Sequence, residues 1–367
     1  MARPAPGGGI VTPDEVITRV IPQHRWRAAA WLALALVVAA VAAWELQMRR
    51  LGLRAGDLDD SRSHWAVERR KVATGEHDGV VIIGSSRILF DTNLDTWEQL
   101  SGLRPIQLAL PGTNPRPHLK DLAVNSDFAG LLVVGVTPDI FFTDWPGIPV
   151  FAGLTAFWHE ESPSSRFGHL VWIELQRHLA FLDDAYRLGN LIDRAAPLKD
   201  RPGVRGPVRD VWKIAEVFED RQTTMWPRLE TDEYLRDHAR WVWGPFNGEP
   251  RIEEADAQRI VAETKTHVDM IRARGGEVVF IRAPSAGLYL ESERQGQPRA
   301  RTWDRLLAVT GAYGIHFEDH ESMRGLVVPE WSHLSGESQL KFTRAYVELL
   351  MRDVPWLRDH LARRSGV

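Results

Sequence analysis

Hydrophobic positions along this chain fall into three regimes. The first is a continuous run, Ala28 to Trp44, with no charged residue and no polar face; Arg25 and Arg27 precede it, and Glu45, Arg49 and Arg50 follow it. A helix over this run reaches ~26 Å, within the range that spans a bilayer. Trp26, Trp31 and Trp44 suit the interfacial belt. A helix apolar all round needs lipid or a large core to cover it. Ala40-Val41-Ala42 is similar to a signal-peptide cleavage site. The polar stretch of about 27 residues ahead of the run is long for a signal peptide, however, and favours an uncleaved anchor over residues 28–46.

In the second regime, short aliphatic runs alternate with helical patterns. Val80–Ile83, Ile106–Leu110, Leu131–Val136, Val278–Ile281 and Ile315–Phe317 read as buried strands. Helical stretches follow around 93–100, 117–126, 252–274 and 303–313. Within 252–274, Ile260, Val261, Thr264, Val268 and Ile271 mark the buried stripe, and Gly275-Gly276 supplies the stop. A last helix starts at Ser335 as N-cap. This alternation predicts an α/β protein, a flavodoxin-like doubly wound parallel five-stranded sheet. Such sheets place active sites at the carboxyl ends of their strands, where Ser86, Gly112 and the residues after Val136 fall.

The third regime, about 143–250, breaks the rhythm and reads as a helical insertion. Phe167 to Ile192 reads as one helix with Leu170, Ile173, Leu175, Leu179, Leu182, Tyr186 and Leu188 on its apolar face. Trp212, Trp226, Trp241 and Trp243 follow in short amphipathic pieces, suited to packing a cap or to stacking on sugar rings. The expected organisation is a tail over 1–27, the anchor over 28–46, a juxtamembrane linker over 47–76, and a domain over 77–360 carrying the insertion.

Composition narrows the chemistry. The 367 residues are 44% hydrophobic and 26% charged, those of a globular protein with ample core. The net charge of −4, with scattered Arg and Lys, offers no field for nucleic acid. Cysteine is absent, which excludes disulfides, thiolate metal sites and cysteine nucleophiles. No phosphate-binding glycine motif occurs, and His316, Asp319, His320 and Glu321 lack a metal-ligand spacing. Neither a cofactor nor a metal is expected.

Candidate chemistry lies in three short stretches. Gly84-Ser85-Ser86-Arg87 follows the first strand, Leu110-Pro111-Gly112-Thr113-Asn114 the second, and Glu330-Trp331-Ser332-His333-Leu334 precedes the last helix. A serine at a strand end, with an acid and a histidine at i, i+3 on a distant turn, can become a nucleophile. These stretches resemble the SGNH (GDSL-like) hydrolase superfamily, in its membrane-anchored Gly-Ser-Ser-Arg branch. The resemblance covers about residues 78–142 and 252–352. It implies Ser86 as nucleophile, His333 as base and Glu330 as the acid that orients it. The oxyanion hole would use the Ser86 and Gly112 N–H groups. Two departures stand out. Glu330 replaces the usual Asp, and Gly135-Val136-Thr137-Pro138-Asp139 lacks the usual third-block Asn, leaving Thr137 to substitute. One lost oxyanion donor costs on the order of 3 kcal/mol of transition-state stabilisation.

Arg87, Asn114 and Trp331 are candidate substrate-binding residues. The expected function is a membrane-anchored serine esterase or O-acyltransferase. Its substrate would be ester groups, acetyl first among them, of an envelope or exported glycan on the periplasmic or extracellular side. Relatives that acetylate exported polymers imply a multi-span membrane acyl-transfer partner. The alternative is a non-catalytic SGNH-like domain that binds glycan or scaffolds an assembly. A soluble lipase or thioesterase would require loss of the anchor.

Overall fold

A computed structural model of the protein describes residues 25–74, 79–143, 150–195, 212–244 and 251–365. Most of the expected N-terminal tail lies outside the described residues. The chain divides into two compact units, Met1–Gln47 and Met48–Val367. In the first, helix α1 (Trp26–Arg50) carries the apolar run, which is long and apolar enough to cross a membrane and unburied throughout.

The second unit is an α/β domain. Its elements run α2 (Arg62–Thr74), β1 (Val80–Ile83), α3 (Ser86–Asp91), α4 (Leu94–Ser101), β2 (Ile106–Gln107), α5 (Arg116–Val124), β3 (Leu131–Gly135) and α6 (Pro138–Phe141). The insertion contributes α7 (Val150–Glu160), α8 (Pro163–His178), α9 (Leu188–Ala195), β4 (Ala215–Val217), β5 (Thr223–Met225), α10 (Pro227–Thr231) and α11 (Glu233–Trp243). The main rhythm then resumes with α12 (Glu254–Arg272), β6 (Glu277–Arg282), α13 (Gly287–Gly296), α14 (Trp303–Thr310), β7 (Tyr313–His316), α15 (Gly336–Asp353) and α16 (Pro355–Ser365).

Strands β2-β1-β3-β6-β7 form one parallel sheet in that order. Its central strands are apolar on both faces because helices cover both. Val81 and Ile83 point into a core with Trp65, Leu119, Ile260 and Leu306; Val80 and Ile82 point into the other, with Phe90, Trp97, Phe342 and Tyr346. The direction of build-up reverses between β1 and β3, so the crevice outside their carboxyl ends is the natural ligand site.

Three expectations need correction. Of the segment expected as a linker carrying a short polar helix over 57–76, residues 48–74 belong to the compact unit, and α2 buries Trp65, Ala66 and Val72; residues 75–76 lie outside the described residues. What holds it is the acidic triplet before α2, whose carboxylate partners come from the insertion. Asp57 accepts hydrogen bonds from Lys213 Nζ and the Val217 amide. Asp59 accepts from Trp172 Nε1 at 3.0 Å and Gln176 Nε2 at 2.8 Å. Asp60 takes a bidentate pair from Arg221 at 2.7 and 2.8 Å.

The second correction concerns β2, expected through Leu110, which is shorter. On this edge strand the carbonyls of Gln107 and Ala109 accept from the Arg221 guanidinium instead of a neighbouring strand, both at 2.9 Å. The third is the expected helix 167–192, which breaks after His178. Leu179 is extended, and the Asp183 side chain accepts from the Ala185 amide while pairing with Lys213, a local alternative to helical bonding. The amphipathic pieces beyond it include an antiparallel hairpin, β4-β5.

Arg221 is fully buried, has a left-handed φ of 60°, and joins the hairpin, the segment before α2 and the sheet edge. Replacing it leaves a carboxylate and two carbonyls without their donor. Arg221→Ala is expected to lower unfolding free energy by about 3–5 kcal/mol in urea titrations, and Arg221→Lys, which cannot form the planar fork, should recover little of it.

Candidate active site

The site grows from a packing constraint at the ends of β1 and β3. Helix α3 starts two residues after Gly84, and its Ile88 wedges against both strand ends. A Cβ on Gly84 would meet Ile88 Cγ2 at 2.3 Å, and one on Gly135 would meet Ile88 Cβ at 2.4 Å. Only glycine at both positions lets the first turn of α3 sit this close to the sheet.

Ser85 and Thr137 are the N-caps of α3 and α6, yet neither side chain caps its own helix. Their hydroxyls bond each other at 2.6 Å across the switch point. Ser86 is the first residue of α3 and is half-buried. Its backbone N–H is one of the donors that a helix start leaves unpaired. The loop after β2 comes alongside through the Leu110 amide, which donates to the Gly84 carbonyl at 3.0 Å, and Gly112 turns there with φ of 61°.

The Glu330–Leu334 stretch docks on α3 by three contacts. The Leu334 amide donates to Asp91 Oδ1 at 2.9 Å, Arg87 Nε reaches Ser332 Oγ at 3.4 Å, and the His333 ring stacks on Phe90 with centroids 4.2 Å apart. Phe90 lies one helical turn after Ser86, so the two share a face of α3.

Glu330 is fully buried and collects four hydrogen bonds. Its Oε1 accepts from His333 Nδ1 at 2.9 Å, the His333 amide at 2.5 Å and the Ser332 amide at 3.3 Å; its Oε2 accepts from Trp243 Nε1. Burial pushes this carboxyl up, but His333, its ring and backbone donors and the Trp243 indole outweigh it, leaving Glu330 below the usual carboxylate range. A carboxylate can only accept, so Nδ1 carries the ring proton. Nε2 then presents a lone pair, is buried, and has no hydrogen-bond partner. Ser86 Oγ is therefore not bonded to it in this resting geometry; such bonds are often long before substrate binds.

Trp243 is the residue that periodicity could not identify. It sits on the last turn of α11, in the insertion, and also faces the His333 ring edge-on at 6.1 Å. Arg240 of the same helix donates to the Pro329 carbonyl at 2.6 Å and lies over the Trp331 ring at 5.2 Å. The insertion is thus built into the site. A sequence signal existed only in retrospect, as an amphipathic helix ending in two tryptophans.

The remaining expected residues have other partners. Arg87, expected to hold substrate, is buried; it donates to Glu293 at 2.5 Å and lies over the Tyr289 ring at 4.5 Å. Glu293 also accepts from Arg282 and Ser285, both at 2.6 Å; burial pushes its carboxyl up, but the Arg282 and Arg87 guanidiniums hold it below its usual range. Asn114, likewise expected at substrate, spends its amide on the Thr143 carbonyl and its oxygen on the Arg116 amide. Both side chains are thus held by partners within the chain. The Thr137 hydroxyl is engaged by Ser85. Trp331 is half-buried with φ of 76°, an uncommon conformation for a bulky residue, and rests on Gly287, where no side chain would fit.

No protein-family model matches this chain, and no curated protein matches it.

Asp91 provides a pH test of the docking. Burial raises its carboxyl well above the usual range, only partly offset by the Leu334 amide and Arg87, and its Oδ2 has no partner. The folded state then holds this proton more tightly than the unfolded one. Its contribution to stability falls as pH rises from about 4 toward the folded value. Asp91→Asn, which keeps the acceptor, should flatten that part of the stability-versus-pH curve in denaturant titrations, whereas Asp91→Ala should destabilise at every pH.

Proposed function

We propose that this protein is a membrane-anchored serine esterase or O-acyltransferase of the SGNH type, acting through Ser86, His333 and Glu330. The observation that carries the reading is the His333 imidazole. Its Nδ1 is fixed on a buried carboxylate, its Nε2 lone pair is unspent, and its ring stacks on the helix that Ser86 begins. The strand order, whose direction of build-up reverses once at the switch point, supports a flavodoxin-like sheet of the kind such enzymes use.

In this mechanism Nε2 takes the Ser86 proton as Oγ attacks an ester carbonyl. Glu330 steadies the imidazolium that forms, and the Ser86 and Gly112 N–H groups receive the developing oxyanion. The imidazolium returns its proton to the departing alcohol, leaving an acyl-serine. Water then releases the acid, or a sugar hydroxyl takes the acyl group; in either case His333 accepts the proton from the incoming oxygen and returns it to Ser86. Ester-bearing glycan of the cell envelope, a location outside the cytoplasm and a multi-span acyl-donating partner follow from the family resemblance.

A fluorophosphonate probe and turnover of p-nitrophenyl acetate test this. Labelling of the wild-type chain that vanishes in Ser86→Ala is expected, with turnover lower by about 10⁴-fold or more in Ser86→Ala and His333→Ala. Trp243→Phe keeps the ring and deletes its donor. It should lower kcat by about 10- to 100-fold with KM little changed, the worth of one hydrogen bond to a charged group. A second reading, a non-catalytic domain that binds glycan or scaffolds an assembly, draws on the unbonded Nε2 and the engaged Thr137 hydroxyl. A folded wild-type chain that takes no label would establish that reading, and labelling that persists equally in Ser86→Ala would overturn Ser86 as the nucleophile.

A further inference from the structure

The outer side of the insertion carries an apolar surface that the proposed chemistry does not use. Helix α8 turns two faces in opposite directions. Its inner face is polar and fixed: His169 and Gln176 are buried, and Trp172 and Gln176 donate to Asp59. Its outer side shows Phe167, Leu170, Val171 and Leu175, spaced i, i+3, i+4 and i+8, with Phe167 68% and Leu170 64% exposed. On α9, Leu188 and Ile192 are exposed one turn apart. The two helices are joined by Arg187, which opens α9 and lies over the Trp172 ring at 5.0 Å. A soluble helix normally turns such a stripe inward; here the core side is the polar one.

A second observation identifies the occupant. The polypeptide leaves its apolar run at Arg49 and Arg50, and Arg49 Nη2 donates to the carbonyl of His178, the last residue of α8, at 3.3 Å. Seven residues on, the Gly56 amide donates to the Gln176 carbonyl at 2.8 Å. A helix that spans a bilayer and ends in two arginines puts them at headgroup level. The carboxyl end of α8 is then at that level too, and Phe167 lies ~16 Å along the helix from it. Aliphatic and aromatic groups presented beside a headgroup layer partition into the headgroup–acyl boundary.

We propose that the α8–α9 face is a second membrane contact, an interfacial surface that lays the domain against the lipid layer its own anchor crosses. This rests on the anchor spanning a bilayer and is independent of the serine chemistry. The surface would hold the α8–α9 side of the domain to the lipid.

The absence of cysteine makes the test clean. Single cysteines at Leu170, Ile192, Val37 in the anchor and Val309 on α14, none of them covered by the protein, are labelled with an environment-sensitive fluorophore. The full chain is reconstituted in phosphatidylcholine–phosphatidylglycerol vesicles with and without doxyl-labelled lipid. Blue-shifted emission and doxyl quenching at Leu170 and Ile192, with neither at Val309, is the expected result. Water-like emission at both while Val37 is quenched overturns the contact and leaves the anchor standing. Emission that is blue-shifted but indifferent to doxyl lipid also overturns it, since the face is then covered by protein such as a second copy. Water-like emission at Val37 overturns anchor and contact together, and quenching at Val309 equal to that at Leu170 removes the claim that this face is distinct.

Discussion

The arrangement of this site depends on one contact, the Leu334 amide held by the buried Asp91 carboxyl. Asp91 ends the helix that Ser86 begins, and Leu334 directly follows His333, so a single hydrogen bond joins two segments 243 residues apart in the chain. The Phe90–His333 stack and the Arg87–Ser332 contact rotate the second segment onto the first. Without these three contacts, His333 and Glu330 would remain paired with each other through their i, i+3 spacing but would have no defined relation to the serine.

Around these contacts, three layers of support act on different parts of the same group. The sheet sets the start of α3 through Ile88. The Arg87–Glu293–Arg282 cluster ties the first turn of α3 to α13 and to the end of β6 through buried charge pairs. The insertion supplies Trp243 to the outer oxygen of Glu330 and Arg240 to the Pro329 carbonyl. Glu330 is one methylene longer than aspartate, and its two oxygens are satisfied from opposite sides, by the His333 stretch and by the insertion. That division lets the longer side chain keep one orientation in a fully buried setting, where an unpaired carboxylate oxygen would cost several kcal/mol.

The parallel strands were legible in the sequence because strands buried on both faces write themselves as uninterrupted aliphatic runs. Ser335 was legible as a cap, and its side chain accepts from the Ser338 amide. Features made by distant pairing were not. Asp57, Asp59 and Asp60 look like a solvated linker until Lys213, Trp172, Gln176 and Arg221 reach them. Asn114 and Arg87 look available for ligand because nothing local announces Thr143 or Glu293. The α8 stripe was visible as a period, but a period does not say whether a face turns toward protein or away from it. Trp243 could be counted among the tryptophans, yet its link to Glu330 spans 87 residues with no local trace.

The Ile88 wedge has a consequence of its own. What fixes the serine end of the site is exclusion: two α-carbons with no substituent, and a branched aliphatic side chain occupying the space left over. Contact repulsion of this kind does not titrate, is not screened by electrolyte, and is indifferent to the dielectric of a nearby lipid phase. The histidine end, by contrast, is suspended from charge and proton positions. One half of the site is therefore a mechanical datum, and the other is an arm hung on buried hydrogen bonds whose hold depends on where the protons sit.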